Sequence, residues 1–433
     1  MRKNSCYYIY LSERSLINKP ENIMKILIIT IGSRGDVNPY LVVGRELKKR
    51  GHDVVFCAAG FFQELVEGFG FRFVPHLSRE EYMKASNNPD LWNYHRALPT
   101  FSREALVPNL RKIYSIIKDE QTEDFMVLST PFAFASKIAE EKLGIKLAQL
   151  HLSPLQFRTF LDTSQLGKIS MNSFLPGWCK RFVWCLIDRF IIDPHIIGEL
   201  NRFRTELGLK PVKRVLNGWW FSKHFNAIVF SKYFASRQQG WPEPSEIFDF
   251  LCFDGNEELP DEAAAFLKNG DRPVVFTPGT AFNFGKKFFE ESLKTLKALN
   301  LRGVFLTHNK SDIPENIPDY VYACKFLPLG LVLPRCAAIV HHGGVGTLAQ
   351  AAKAGIPQLV FPMAFDQFDN AFRIHNKKLG TYIHVKKYKS AILNRKLKYV
   401  LYDKKIAAGC AAVSKMIDSE KALDNLVTRI EEI

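Results

Sequence analysis

Two stretches of this 433-residue chain share one grammar, an apolar run that ends in a glycine-rich turn and opens into a helix. KILIIT (25–30) leads into Gly32-Ser33-Arg34-Gly35-Asp36-Val37-Asn38-Pro39, and AAIVHH (337–342) leads into Gly343-Gly344-Val345-Gly346-Thr347. A short continuous apolar run bounded in this way reads as a strand covered on both faces, as in a parallel sheet.

The flanking sequence alternates in the same sense. After the first run, Asn38 is the expected N-cap, Pro39 the first helical position, and LysLysArgGly (48–51) closes the helix. Strands are expected at 53–59, 71–75, 125–130 and 145–152, with helices at 61–70 and through 140–144. Residues 156–222 break the rhythm, 225–231 returns to strand, and the prolines of WPEPSEIFDF (241–250) mark a boundary. A second series follows, with strands at 273–279, 303–308, 337–342 and 357–362 and helices near 284–300, 346–354, 367–379 and 390–402. The predicted fold is α/β, with two doubly wound Rossmann-like domains facing across a cleft. The expected division is a flexible extension at 1–23, a first domain at 24–240, a linker at 241–256 and a second domain at 257–433. The last helix is expected to pack back on the first domain.

Composition narrows the function. No apolar run approaches the ~18 residues of a membrane span, and Cys6–Leu11 is shorter than the roughly 7–15 residues of a signal-peptide core. Eight cysteines without a Cys-x-x-Cys pair argue for a reducing compartment and against zinc or a disulfide framework, so the expected location is cytoplasmic. The formal charge of +15 fits anionic nucleotide substrates or an anionic membrane surface; it is spread along the chain without a nucleic-acid-binding module, so nucleic acid is not an expected partner. The stretch FLPGWCKRFVWCLIDRFIIDPH (174–195) reads equally well as an amphipathic lid or peripheral membrane contact and as an ordinary core-facing helix pair. Oligomeric state is not legible.

The turn at 341–347 has the chemistry of an anion site, because glycines admit a ligand close to the backbone and a helix N-terminus offers free N–H groups. A histidine ahead of the turn can donate to the same diphosphate. Asp366-Gln367 follows the next strand and offers a carboxylate and an amide to sugar hydroxyls. Taken singly, the glycines make a tight turn and Asp366 caps a helix; in register on successive βα units they point to a site. Gly344-x-Gly346-x-x-Ala349 with Asp366 also matches a dinucleotide fingerprint, which keeps an NAD-linked oxidoreductase as a rival. Against it, Asp366 lies past the strand's end and the paired histidines have no part to play.

The HHGGVGT…FPMAFDQ arrangement resembles the donor site of the inverting nucleotide-sugar glycosyltransferases with two Rossmann-like domains (GT-B), UDP-glycosyltransferases and sterol glucosyltransferases among them. The resemblance implies diphosphate contacts from His342, Gly344, Gly346, Thr347 and, on the upstream Thr277-Pro278-Gly279-Thr280 turn, Thr280. It assigns the donor sugar to Asp366 and Gln367, and base stacking to Phe326 in Phe326-Leu327-Pro328-Leu329, where many members carry Trp-x-Pro-Gln. Gly32, Ser33, Arg34, Gly35 and Asp36 resemble the acceptor-side loop of lipid, sterol and antibiotic glycosyltransferases, in which the aspartate is the candidate general base. Such a base suits in-line displacement; Pro39 makes Asn38 the better cap and leaves Asp36 free, while Arg34 nearby would weaken it as a base.

His52 is read as structural, and His151 and Ser153 as candidates for the acceptor pocket. No Asp-x-Asp triplet occurs, which favours leaving-group stabilisation by backbone N–H groups and His342, with no metal and no other cofactor. Gly208–Trp220, Gln238–Pro244 and 361–371 further resemble the rhamnosyltransferases that make rhamnolipids. The expected function is transfer of a hexosyl group, of glucose or rhamnose type, from a UDP- or dTDP-sugar to a hydroxyl of a hydrophobic or lipid acceptor. The alternatives are the oxidoreductase and a non-catalytic nucleotide-sugar-binding subunit.

Overall fold

The computed structural model describes residues 23–158, 160, 164–166, 169–171, 174–252, 258–279 and 285–433. The extension expected at the N-terminus falls almost wholly outside them.

The apolar runs become strands, covered on both faces in the middle of each sheet and partly exposed at the edge strands. In the first sheet these are β1 (Lys25–Ile29), β2 (Asp53–Ala59), β3 (Arg72–Leu77), β4 (Phe125–Ser129) and β5 (Lys146–His151). A two-stranded antiparallel hairpin, β6 (Ser164–Leu166) and β7 (Ile169–Met171), stands apart, and β8 (Phe225–Val229) and β9 (Ser245–Phe248) return to the sheet. Its order is β3-β2-β1-β4-β5-β8-β9, parallel throughout, with Ile26 opposite Val54 on one side and Met126 on the other. The second sheet holds β10 (Val274–Thr277), β11 (Gly303–Leu306), β12 (Val321–Cys324), β13 (Ala338–His341), β14 (Gln358–Val360) and β15 (Gly380–Tyr382). Its order is β12-β11-β10-β13-β14-β15, again parallel.

Five helices matter for the site: α1 (Arg34–Lys49), α2 (Gly177–Ile187), α3 (Val345–Ala354), α4 (Gln367–Asn376) and α5 (Ser419–Glu431). In each sheet the strand order reverses beside the first strand, between β1 and β4 and between β10 and β13. The loops leaving the carboxyl ends at such switch points are where open α/β sheets bind ligands. Here those loops are 30–33 in one sheet and 278–279 with 342–344 in the other, so each glycine-rich turn lies at the switch point of its own sheet.

Three expectations need correction. α1 begins at Arg34, not at Pro39: Ser33 is its N-cap, and Pro39 sits inside the helix, where its missing N–H removes one helical bond. The segment 241–250 contains β9, an edge strand paired with β8, because prolines are tolerated next to a sheet edge. The edge strands of the second sheet, the partly buried β12 and the three-residue β15, stand where no strand is expected.

α5 buries Ala422, Leu426, Val427 and Ile430 in the same apolar cluster as Val37, Tyr40 and Leu41 of α1. The Arg50 guanidinium ties the two together, bonding Glu431 at 2.7 Å and the Asp424 carbonyl at 3.1 Å. The C-terminal helix therefore packs on the first sheet's side of the molecule. Among the described residues no helix is long and apolar enough to cross a membrane.

Candidate active site

Between the two sheets lies a cleft of about 800 Å³. Gly32, Ser33, Arg34, Gly35 and Asp36 line it from the first sheet; His342, Gly344, Gly346, Thr347, Asp366, Gln367 and Phe326 line it from the second. Thr280 lies outside the described residues.

Asp36 is the third residue of α1 and reaches back to the residue before the helix. Its Oδ2 accepts from the Ser33 backbone N–H at 2.7 Å and from the Ser33 hydroxyl at 3.0 Å. The aspartate thus does cap, contrary to the sequence argument that freed it from that duty. Gly32 has φ +139°, and a Cβ there would run into the Asp36 carboxylate. The glycine is the space in which the side chain sits. Burial raises the Asp36 pKa, and the Ser33 bonds only partly offset it.

His341 and His342 divide their work. His341 is fully buried; its Nδ1 accepts from the Gly343 N–H at 3.2 Å and its Nε2 pairs with Gln358 Oε1 at 3.0 Å. Nδ1 holds the turn, and Nε2 ties β13 to β14. His342 faces the cleft, its buried Nδ1 has no hydrogen-bond partner among the described residues, and burial lowers its pKa to about 4. Its ring is clamped by two glycines: a Cβ on Gly279 would come within 2.6 Å of the ring, and one on Gly344 within 2.5 Å of Nε2. Gly346 differs, because a Cβ there would meet nothing within 4 Å. Behind this turn, Gly344 is the N-cap of α3 and offers no side-chain cap, which leaves the helix's first N–H groups open to a ligand in the cleft.

Asp366 precedes α4 but makes no capping bond to it. Its Oδ2 accepts from Asn370 Nδ2 at 3.0 Å, the Ser153 side chain on the loop after β5 lowers its pKa slightly, and Asn370 also donates to the Gly343 carbonyl at 2.9 Å. Burial, then the charge of Asp36, pushes its pKa up to about 6. Gln367 Oε1 is engaged by the Met363 and Ala364 N–H groups at 2.9 and 3.2 Å, so the amide braces the turn that presents Asp366. Between them, Phe365 takes a φ of +53°, a strained value for a residue with a side chain. That twist puts its ring edge-on to Trp92 at 6.4 Å and to Phe101 at 5.8 Å.

Ser153 lines the cleft as anticipated, whereas His151 lies behind it, bonded to Gln156 and Asn226. His52 is structural: Nδ1 accepts from the Met24 N–H at 3.2 Å and Nε2 meets Glu431 at 3.0 Å. Several lining residues escaped the sequence reading. His76, held between the Thr30 carbonyl and Asn109, and His308 beside Arg34 and Lys325 sit in stretches with no motif. The aromatic wall of Trp92, Phe101, Phe132 and Trp220 is assembled only by the fold, with Phe132 5.6 Å from Phe101 and 5.5 Å from Trp220.

Two doubly wound domains that face across a cleft, each presenting a glycine-rich loop at its switch point, define the GT-B class. Residues 26–154 match the glycosyltransferase family 28 N-terminal domain, and residues 298–433 match the C-terminal domain of erythromycin biosynthesis protein CIII-like proteins. With both matches, the chain is a glycosyltransferase of that class. It is 25% identical to a sterol 3-beta-glucosyltransferase of Arabidopsis thaliana across 85% of this chain, which spans 62% of that relative's length. It is 23% identical to the O-mycaminosyltylonolide 6-deoxyallosyltransferase of Streptomyces fradiae, over 94% of this chain and 97% of the relative. The solved spinosyn rhamnosyltransferase complexed with thymidine diphosphate superposes with a TM-score of 0.68 at 16% identity, covering 94% of this chain and 100% of that one.

Proposed function

We propose that the protein transfers a hexosyl group, with inversion, from a dTDP- or UDP-sugar to a hydroxyl of a hydrophobic lipid acceptor. The observation that carries this reading is the meeting in one cleft of Asp36, beside the switch point of the first sheet, with His342, at the switch point of the second, and Asp366, on the loop after β14. A relative named for glucosylating a sterol and a structural neighbour holding thymidine diphosphate support the acceptor and donor classes.

The diphosphate lies against the first turn of α3, with the neutral His342 donating one N–H to it and the backbone groups at Gly344–Thr347 completing the cradle. Arg34 and Lys325 line the same cleft and supply positive charge. Phe326 stacks on the base, Asp366 takes the sugar hydroxyls, and Gln367 holds the turn that aims it. Asp36 accepts the proton of the acceptor hydroxyl as its oxygen bonds to the anomeric carbon, and the bond to the diphosphate oxygen breaks on the opposite face. Its raised pKa makes it a stronger base than an exposed carboxylate. The wall of Trp92, Phe101, Phe132 and Trp220 takes the acceptor's apolar body.

The test is a panel of dTDP- and UDP-hexoses with lipid extracts as acceptors, scored for nucleoside diphosphate release and for glycosylated lipid. Release or transfer with any donor supports the reading; nucleotide binding without either points to a binding subunit, and NAD binding without nucleotide-sugar binding points to the oxidoreductase.

A further inference from the structure

Phe174, Trp178, Phe182, Leu186 and Phe190 recur every fourth residue, the spacing that stacks side chains along one helix face. In α2 and the π-helical turn that extends it, this face is turned to solvent: Trp178 is 72% exposed, Phe182 61% and Phe190 65%, and Phe174 just before the helix 89%. The opposite face, with Trp184, Ile187 and Ile192, is buried. A large apolar stripe in the open is the signature of a surface that meets something.

Charge identifies the occupant. Arg181 and Arg189 are exposed on the same segment, while both of its carboxylates are withdrawn. Asp188 is buried against Arg158, and Asp193 accepts from the Arg214 and Val215 N–H groups. An apolar stripe edged by cations and free of exposed acids, on a chain with a formal charge of +15, complements an anionic bilayer better than a second copy of the same basic face. The stripe borders the cleft through Ile191, which follows Phe190, is 48% exposed and lines the cleft, while the helix's buried face lines it through Trp184 and Ile187.

We propose that this face docks peripherally on an anionic phospholipid bilayer, seating the apolar side of the cleft at the membrane surface. The docking itself does not depend on the glycosyltransferase reaction; only the further consequence, that the acceptor enters from the bilayer, rests on the function proposed above.

The experiment is co-sedimentation of the full chain with vesicles of phosphatidylcholine alone and of phosphatidylcholine mixed equally with phosphatidylglycerol, alongside Phe182→Asp and, separately, Phe174→Ser with Trp178→Ser. Thermal unfolding of each variant establishes that it is folded. The expected result is binding to the anionic vesicles that weakens in salt and falls about tenfold or more in folded variants. Should Phe182→Asp not fold, the double serine variant decides. No partition of the wild type into anionic vesicles, equal partition of wild type and variants, or a dimer that the variants abolish without any vesicle binding would each overturn the proposal.

Discussion

The guanidinium of Arg34, the first residue of α1, lies 4.6 Å from the centroid of the Phe326 ring on the other side of the cleft. The contact joins the acceptor-side loop to the ring proposed to stack on the nucleotide base, so a base arriving on that face displaces the cation. Stacking of a base on an aromatic ring is worth about 1–3 kcal/mol, so Phe326→Ala should weaken dTDP or UDP binding by a factor of roughly 5 to 150, while Phe326→Trp retains it. Isothermal titration reads both. Unchanged affinity in the alanine variant would remove Phe326 from the base site.

Asp36 serves two ends at once, capping α1 through Ser33 and facing the cleft. Asn at this position still accepts the Ser33 N–H but cannot take a proton, so the helix and the nucleotide site should stay intact. Asp36→Asn should lower kcat by about 10²–10⁴ with little change in dTDP affinity. Near-normal turnover would sink the assignment of the base.

The same residue shows where the sequence was legible and where it was not. Strands such as Lys25–Ile29 and Ala338–His341 are buried on both faces and announce themselves as apolar runs. The glycine turns behind them were legible because switch-point loops need close backbone approach. The start of α1 was misread because Pro39 is a strong helix-start signal, yet Ser33 and Asp36 begin the helix five residues earlier. The aromatic wall stayed hidden for a different reason: Trp92, Phe101, Phe132 and Trp220 come from separate stretches without a common period, and only tertiary packing unites them.

The glycines around His342 give a cleaner test of the diphosphate site than the histidine itself. Gly344 has ordinary extended backbone, so Gly344→Ala brings no backbone strain but drives the new methyl into the imidazole. It should reproduce much of the dTDP affinity lost in His342→Ala, about tenfold or more for a hydrogen bond to a charged group. Gly346 sits in the first turn of α3 with open space at its Cβ position. There alanine should raise helix stability by up to about 1 kcal/mol and still weaken dTDP, because the methyl occupies ligand space. A Gly346→Ala protein with unchanged affinity would show that the phosphates lie elsewhere.

Asp366 makes stability depend on pH. Its carboxyl is held at about 6 in the fold against 3.8 in the open chain, so folding favours the protonated form. The stability this gives is fully present below pH ~4, is lost as pH rises towards about 6, and stays lost above it. The penalty at pH 7 is on the order of 3 kcal/mol. Asp366→Asn removes the charge and keeps an oxygen for Asn370, so it should melt higher than the wild type at pH 7.5. That advantage should shrink as pH falls towards 4, even as transfer activity is lost, because asparagine holds the sugar hydroxyls more weakly than the carboxylate. Thermal denaturation across this range is decisive: a difference in Tm that does not change with pH would mean that the Asp366 carboxyl is not strained by its burial beside Asp36.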